Sequence, residues 1–137
     1  KKMSKSELSD LSRINLTDTK DEIINKIKKA KTDPLPLPSN IKELEKRPEA
    51  RNLIGIYSSL SGLTQEETIK KFAEKNFSEF KENLSQLIVD KIEPISIEIK
   101  KLLNEKSYLD KILLDGSKKA NFQASDKVKK IHEIIGF

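Results

Sequence analysis

No cysteine and no tryptophan occur in this 137-residue chain, and there is one histidine, His132. The absence of cysteine excludes disulfides and thiolate metal sites and weakly favours a cytosolic setting. With a lone histidine, neither a His-based metal site nor a His-centred triad is expected. His132 reads as an exposed or half-buried helix residue. Glycine is scarce, at four residues, and proline is limited to five, so turns are few and each one is informative. No alternating run bounded by turn residues marks a strand. No apolar run has membrane length and no signal-peptide pattern is present, so a cytoplasmic chain without membrane attachment is the expectation.

Charge and periodicity dominate what remains. Charged residues make up 36% of the chain and hydrophobic ones 35%, a polar balance that still leaves enough apolar residues for one core. The net charge of +5 is unevenly placed. Residues 1–33 hold 9 Lys/Arg against 6 Asp/Glu, residues 34–106 hold 12 against 12, and residues 107–137 hold 6 against 4. An excess confined to the two ends fits contact with a polyanion at limited places, and it equally fits an ordinary lysine-rich chain.

The apolar residues follow helical spacing almost throughout. Residues 1–18 read as loop. Thr19-x-x-Glu22 is a capping box that opens a first helix carrying Ile23, Ile24, Ile27 and Ala30. Thr32-Asp33-Pro34 stops it. Pro34-Leu35-Pro36-Leu37-Pro38 is an extended connector whose two leucines are expected to lie on the protein body. Ser39 is a candidate cap for a short turn. Pro48 and Glu49 open a second helix with Leu53, Ile54, Ile56, Tyr57 and Leu60 on one face, closed by Gly62. Thr64-x-x-Glu67 is a second capping box, with Ile69, Phe72 and Ala73 as the buried set of the next helix. Ser78 is expected to cap the longest pattern, which runs from Phe80 to Leu103 and contains Pro94, a predicted kink. Ser107-x-x-Asp110 suggests a further cap, and Gly116 either interrupts that helix or is carried through it. In the last pattern Ala120, Ala124, Val128, Ile131 and Ile135 fall within roughly 80° on a helical wheel, with Lys118, Phe122 and Lys129 roughly opposite. The predicted fold class is all-α: a helical bundle with a long kinked central helix, preceded by a flexible loop.

That loop is Lys2-Met3-Ser4-Lys5-Ser6. Two ammonium groups, two hydroxyls and free backbone N–H groups suit a polyphosphate, although five such residues alone more readily describe a frayed, lysine-rich terminus. Downstream come Ser12-Arg13-Ile14-Asn15-Leu16-Thr17-Asp18, then Ile27-Lys28-Lys29-Ala30-Lys31-Thr32-Asp33, then the stretch from Asn52 to Gly62, and a closing Ile135-Gly136-Phe137. In this order, over essentially all 137 residues, the chain resembles the C-terminal part of the bacterial-type tryptophanyl-tRNA synthetases of class I, beginning at their KMSKS loop. Family members generally continue the motif with Asp and often Pro, where this chain has Glu7-Leu8.

The resemblance implies that residues 1–18 are the KMSKS loop and a linker from the catalytic domain, and that residues 19–137 are a helical tRNA-binding domain. It implies an ATP site at Lys2, Met3, Ser4, Lys5 and Ser6, with Lys2 and Lys5 catalytic. In the family, tryptophan is activated with ATP and transferred to tryptophan tRNA. Mg2+ would accompany the ATP, held mostly by phosphate oxygens and water rather than by a site in this chain. Candidate tRNA contacts, polar or aromatic and off the apolar stripes, are Arg47 and Arg51 near the second helix, and Lys118, Lys119, Phe122, Gln123, Lys129 and Lys130 on the last. Each of these singly also reads as a plain solvated side chain. Asn52 and Tyr57 read as packing and capping residues, and Thr17-Asp18 as either a neighbour of the ATP loop or a helix-start turn. The His-x-Gly-His element and amino-acid pocket of a class I enzyme are not in these residues. The expectation is therefore about the last two-fifths of such an enzyme, inactive alone, from a homodimer, with tryptophan bound only through the catalytic domain. The readings left beside this one are a stand-alone helical RNA-binding module without catalysis and a helical scaffold protein with lysine-rich ends.

Overall fold

A computed structural model describes residues 9–136 of the chain. The described residues form a short 3-10 turn at Asp10–Ser12, then α1 (Lys20–Lys29), α2 (Ile41–Glu45), α3 (Pro48–Ser61), α4 (Gln65–Phe72), α5 (Phe77–Asn104) and α6 (Lys106–Ile135), with no strand among them. The chain divides into two compact units, Lys1–Ile97 and Glu98–Phe137.

The first unit carries the core. Both capping boxes form. Thr19 Oγ1 accepts from the N–H of Glu22, whose carboxylate accepts from the N–H of Thr19 at 2.7 Å. Thr64 and Glu67 repeat the exchange, with the Thr64 N–H to carboxylate distance at 2.8 Å. Pro48 is the first residue of α3, where its missing N–H has no helical partner to lose. Gly62 ends α3 at φ 76°, a left-handed conformation open to glycine without penalty, and its N–H donates to Ser58. The C-terminal carbonyls of α1 are met by a cation from α5. Lys81 Nζ donates to the carbonyls of Ala30, at 2.6 Å, and Lys28, and its burial pulls its pKa below the usual lysine value.

Ile23, Leu44, Ile54, Phe80, Leu84 and Val89 are almost fully buried, drawn from α1, α2, α3 and α5. Tyr57, Phe72 and Phe80 form an aromatic cluster. Phe72 meets Tyr57 and Phe80 edge-on, with ring centroids at 4.9 and 5.0 Å, the arrangement the ring quadrupoles favour. A buried hydrogen bond of 3.0 Å joins Ser58 of α3 to Thr68 of α4, so neither hydroxyl is left unpaired in the core.

Several sequence expectations are corrected. The cap of α5 is Asn76, whose Oδ1 accepts from the N–H of Glu79 at 2.8 Å, and not Ser78, which lies inside the helix. Starting earlier places the buried Phe77 on the helix with Phe80. Asn40, not Ser39, caps α2. Of the two leucines in the proline run only Leu37 lies on the body, its N–H donating to the carbonyl of Lys75, while Leu35 is 58% exposed. A polyproline II run turns once in three residues, so positions two apart do not share a face. Ser107 caps nothing. α6 begins at Lys106 after Glu105, which makes no side-chain cap, and runs through Gly116 without a break. Pro94 lies inside α5, where the sequence places it, and the helix continues on both sides. The ring removes one helical bond, to the carbonyl of Asp90, and both residues are exposed.

In the second unit, α6 is a 30-residue helix with no buried residue. Its apolar stripe is open: Val128, Ile131 and Ile135 are 47%, 54% and 58% exposed. None of the helices among the described residues is long and apolar enough to cross a membrane.

Candidate functional site

The segment Lys2–Ser6, including the candidate catalytic Lys2 and Lys5, lies outside the described residues. From Ser9 onward, polar contacts organise the approach to α1. Lys26, on the buried side of α1 between Ile23 and Ile27, is 7% exposed. Its ammonium donates to Asp18 Oδ2 at 2.6 Å and to Asp10 Oδ2 at 2.5 Å. Asp18 is itself buried and accepts from the N–H of Asn15 at 2.9 Å and from Asn15 Nδ2 at 3.2 Å. Asn15 Nδ2 also reaches Asp10, and Arg13 pairs with Asp10 at 2.9 Å. Ser96 of α5 donates to the Asp18 carbonyl.

The electrostatics follow from these contacts. Burial pushes the Asp18 carboxyl up, but the bonds from Lys26 and Asn15 outweigh it and hold the group below the usual carboxylate range. The Lys26 bond, helped by Asn15, lowers Asp10. Burial works against the Lys26 charge, yet its two carboxylate partners raise the pKa above the ordinary lysine value. Thr17-Asp18 is thus more than a helix-start turn, since Asp18 anchors the segment to α1. Nothing in a linear reading marks Lys26 and Asp10 as partners, although a lysine between two core isoleucines is a signal that such a partner exists.

The candidate RNA contacts fall in two places. In the first unit, the guanidinium of Arg47 is taken up by Asp33, at 2.9 and 2.5 Å, and by the carbonyls of Leu35 and Pro36, and it stacks near the Phe77 ring. Arg51 is exposed and lines an open groove of about 660 Å³ with Asn52, Gly55, Ile56, Ser59 and Gln65. Tyr57 is buried, and its hydroxyl accepts from Lys71 at 2.9 Å, which accords with a packing role. In the second unit, Lys118, Lys119, Phe122, Gln123, Lys129 and Lys130 are all exposed on α6, Phe122 at 85%. From Lys118 to Lys130 they cover roughly 18 Å of helix axis, at about 1.5 Å per residue. Exposure does not separate them from the stripe formed by Val128 and Ile131, which is open as well. Among the described residues no three His, Asp or Glu side chains are grouped so as to hold a metal ion.

The family model for class I tRNA synthetases (W and Y) matches residues 1–91. The chain belongs to this family. Its curated relatives include the tryptophan–tRNA ligases of Mesorhizobium japonicum, 48% identical over 99% of this chain and 38% of the relative, and of Rickettsia felis, 48% identical over 100% of this chain and 41% of the relative. The ligase of Rhizobium meliloti is 47% identical over the whole chain and 39% of its own length. The chain thus spans about two-fifths of the length of the curated relatives it matches. The match to residues 1–91 takes in both the loop motif and the Lys26 cluster.

Proposed function

We propose that this chain supplies the KMSKS loop and the helical tRNA-binding region of a tryptophan–tRNA ligase. The observation that carries this reading is identity of 45–48% to tryptophan–tRNA ligases over 99–100% of the chain. Adenylate formation is attack of the tryptophan carboxylate on the α-phosphorus of ATP, with pyrophosphate leaving. Negative charge builds on the bridging and leaving oxygens. Lys2 and Lys5 neutralise that charge, Lys5 carrying the larger part, and Ser4, Ser6 and the N–H groups of the loop hold the β and γ phosphates. Cations that meet charge only as it develops raise the rate rather than the affinity alone. Mg2+ arrives with ATP as part of the substrate.

The helical region binds tryptophan tRNA. Its α6 lysines meet phosphates, and Phe122 is an exposed face on which an unstacked base can rest. Arg51 offers a second, free-standing guanidinium plane in the groove along α3. The adenine and tryptophan pockets belong to parts of the ligase beyond these 137 residues, so this stretch alone makes no adenylate. The intact enzyme works in the cytoplasm as a homodimer.

The test is amino-acid-dependent pyrophosphate exchange and tRNA charging by the intact ligase. Tryptophan and its tRNA are expected to support both, and tyrosine neither. Exchange driven by tyrosine would move the chain to the other branch of the family. A tRNA-binding protein without exchange activity would favour the stand-alone module.

A further inference from the structure

From Asn52 to Gln65 the sequence holds no charged residue, although 36% of the chain is charged. Asn52, Gly55, Ile56 and Ser59 share the side of α3 turned away from Leu53, Ile54 and Tyr57, which enter the core. With Arg51 and Gln65, the first residue of α4, they line the open groove described above. A solvated helix face normally carries charge, so this one is composed like the centre of an interface. Gly55 lies inside α3, where glycine weakens a helix. A Cβ there would meet only Gln65 Nε2, at 3.8 Å, an ordinary contact, so the fold itself leaves room for alanine. Ser59 turns back on its own helix and donates to the Gly55 carbonyl at 2.9 Å. The side chains of Arg51, Asn52 and Gln65 are exposed and make no hydrogen bond or ion pair with any described residue. Two amides and a guanidinium around a low, uncharged floor match the edge and the face of a nucleobase. Cations for a phosphate lie next door. The adjoining hollow shares Pro48 and Asn52 with the groove and is lined by Lys31, whose side chain is 87% exposed and pairs with Glu49 at 3.5 Å. Lys28 and Lys29 are exposed in the last turn of α1.

We propose that this groove reads one unpaired base of tryptophan tRNA: the base lies on Gly55 and Ile56, Asn52 and Gln65 hydrogen-bond its edge, Arg51 stacks on its open face, and Lys31 meets the adjoining phosphate. This rests on the tRNA-binding reading given under Proposed function. It assigns sequence selectivity to α3 and α4, whereas the α6 lysines meet backbone phosphates and carry no sequence information.

The experiment measures kcat/KM for tRNA charging by the intact ligase and its Gln65→Ala and Gly55→Ala variants. The probes are the tryptophan tRNA transcript and a set of transcripts in which each unpaired base is replaced in turn. Pyrophosphate exchange, a step in which tRNA takes no part, and melting curves are recorded beside it. At one replaced position the native ligase is expected to lose about tenfold or more, the size of one lost amide–base pairing. Gln65→Ala is expected to charge the native transcript about tenfold less well and to treat that replaced transcript no differently from it, because the contact is already gone. Gly55→Ala is expected to melt no lower than the native enzyme yet to charge about tenfold less well, since its methyl group lifts the base from the floor. Exchange stays at the native level in both variants. Normal charging by Gln65→Ala, or an equal loss on every transcript, overturns the groove as a base reader and leaves tRNA binding by the helical region standing. So does a fall in exchange alongside charging, the mark of a face packed against another part of the ligase. A native ligase that charges no tryptophan tRNA overturns both.

Discussion

Lys26→Met removes the cation from the buried cluster while leaving a side chain of similar length on α1. Asp18 is then a buried carboxylate, 7% exposed, whose remaining donors are the N–H and Nδ2 of Asn15. Asp10 turns to solvent and to Arg13. Breaking a buried pair from one side costs about 3–5 kcal/mol, and the Asn15 bonds place this case near ~3 kcal/mol at pH 7. For a domain of this size that is roughly a 10 °C fall in Tm. The pH dependence has a definite sign. In the native chain Asp10 and Asp18 are held below their ordinary 3.8 and Lys26 above its ordinary 10.5. The cluster therefore stabilises fully between those two values and fades as pH falls through the depressed carboxylates or rises past the elevated lysine. In the variant, burial without a cation raises Asp18 instead, so its penalty is greatest at neutral pH and is relieved as the group takes up a proton. The difference between native and variant chains should accordingly shrink from pH 7 to pH 4.5. Urea unfolding followed by circular dichroism at both values reads it. Adding Asp18→Asn to Lys26→Met should restore part of the loss. A difference under about 1 kcal/mol at pH 7, or one that does not change with pH, would refute the cluster as described.

Phe80→Ala opens a cavity under Tyr57 and Phe72 at a fully buried site and should cost about 3–5 kcal/mol, read from the same unfolding curves. Gly62→Ala meets no neighbouring atom but forces a side chain into φ 76°, so a loss of about 1 kcal/mol is expected from backbone strain alone. Replacing Lys118, Lys119, Lys129 and Lys130 together by alanine should weaken binding of tryptophan tRNA to the intact ligase and flatten its dependence on salt, by about 0.7–0.9 in slope for each phosphate no longer neutralised, without altering tryptophan activation. An unchanged salt slope would remove α6 from the RNA interface.

Local chemistry made much of this structure legible. The capping boxes at Thr19 and Thr64, Pro48 at a helix start and Gly62 at a helix end each act within one turn, so a linear reading contains all the partners. Where two local solutions compete, the reading goes astray. Ser78 and Asn76 both offer an oxygen, and the core's demand for Phe77 favours the earlier start. Gly116 costs α6 about 1 kcal/mol, too little to break a helix with strong formers on both sides. The Lys26 cluster joins residues 8 and 16 apart and lies beyond any local rule. The stripe on α6 obeys helical period yet buries nothing, because period reports that a face is apolar and not what covers it.

The central claim is that the two lysines of the KMSKS segment act on the transition state. It is tested most directly by the rate of adenylate formation in the intact ligase carrying Lys5→Ala, measured beside the tryptophan dissociation constant. A fall of about 10²–10³ in rate with tryptophan binding nearly unchanged is the predicted result, the size expected for loss of one charge-stabilising group. A parallel loss of rate and tryptophan binding would contradict it.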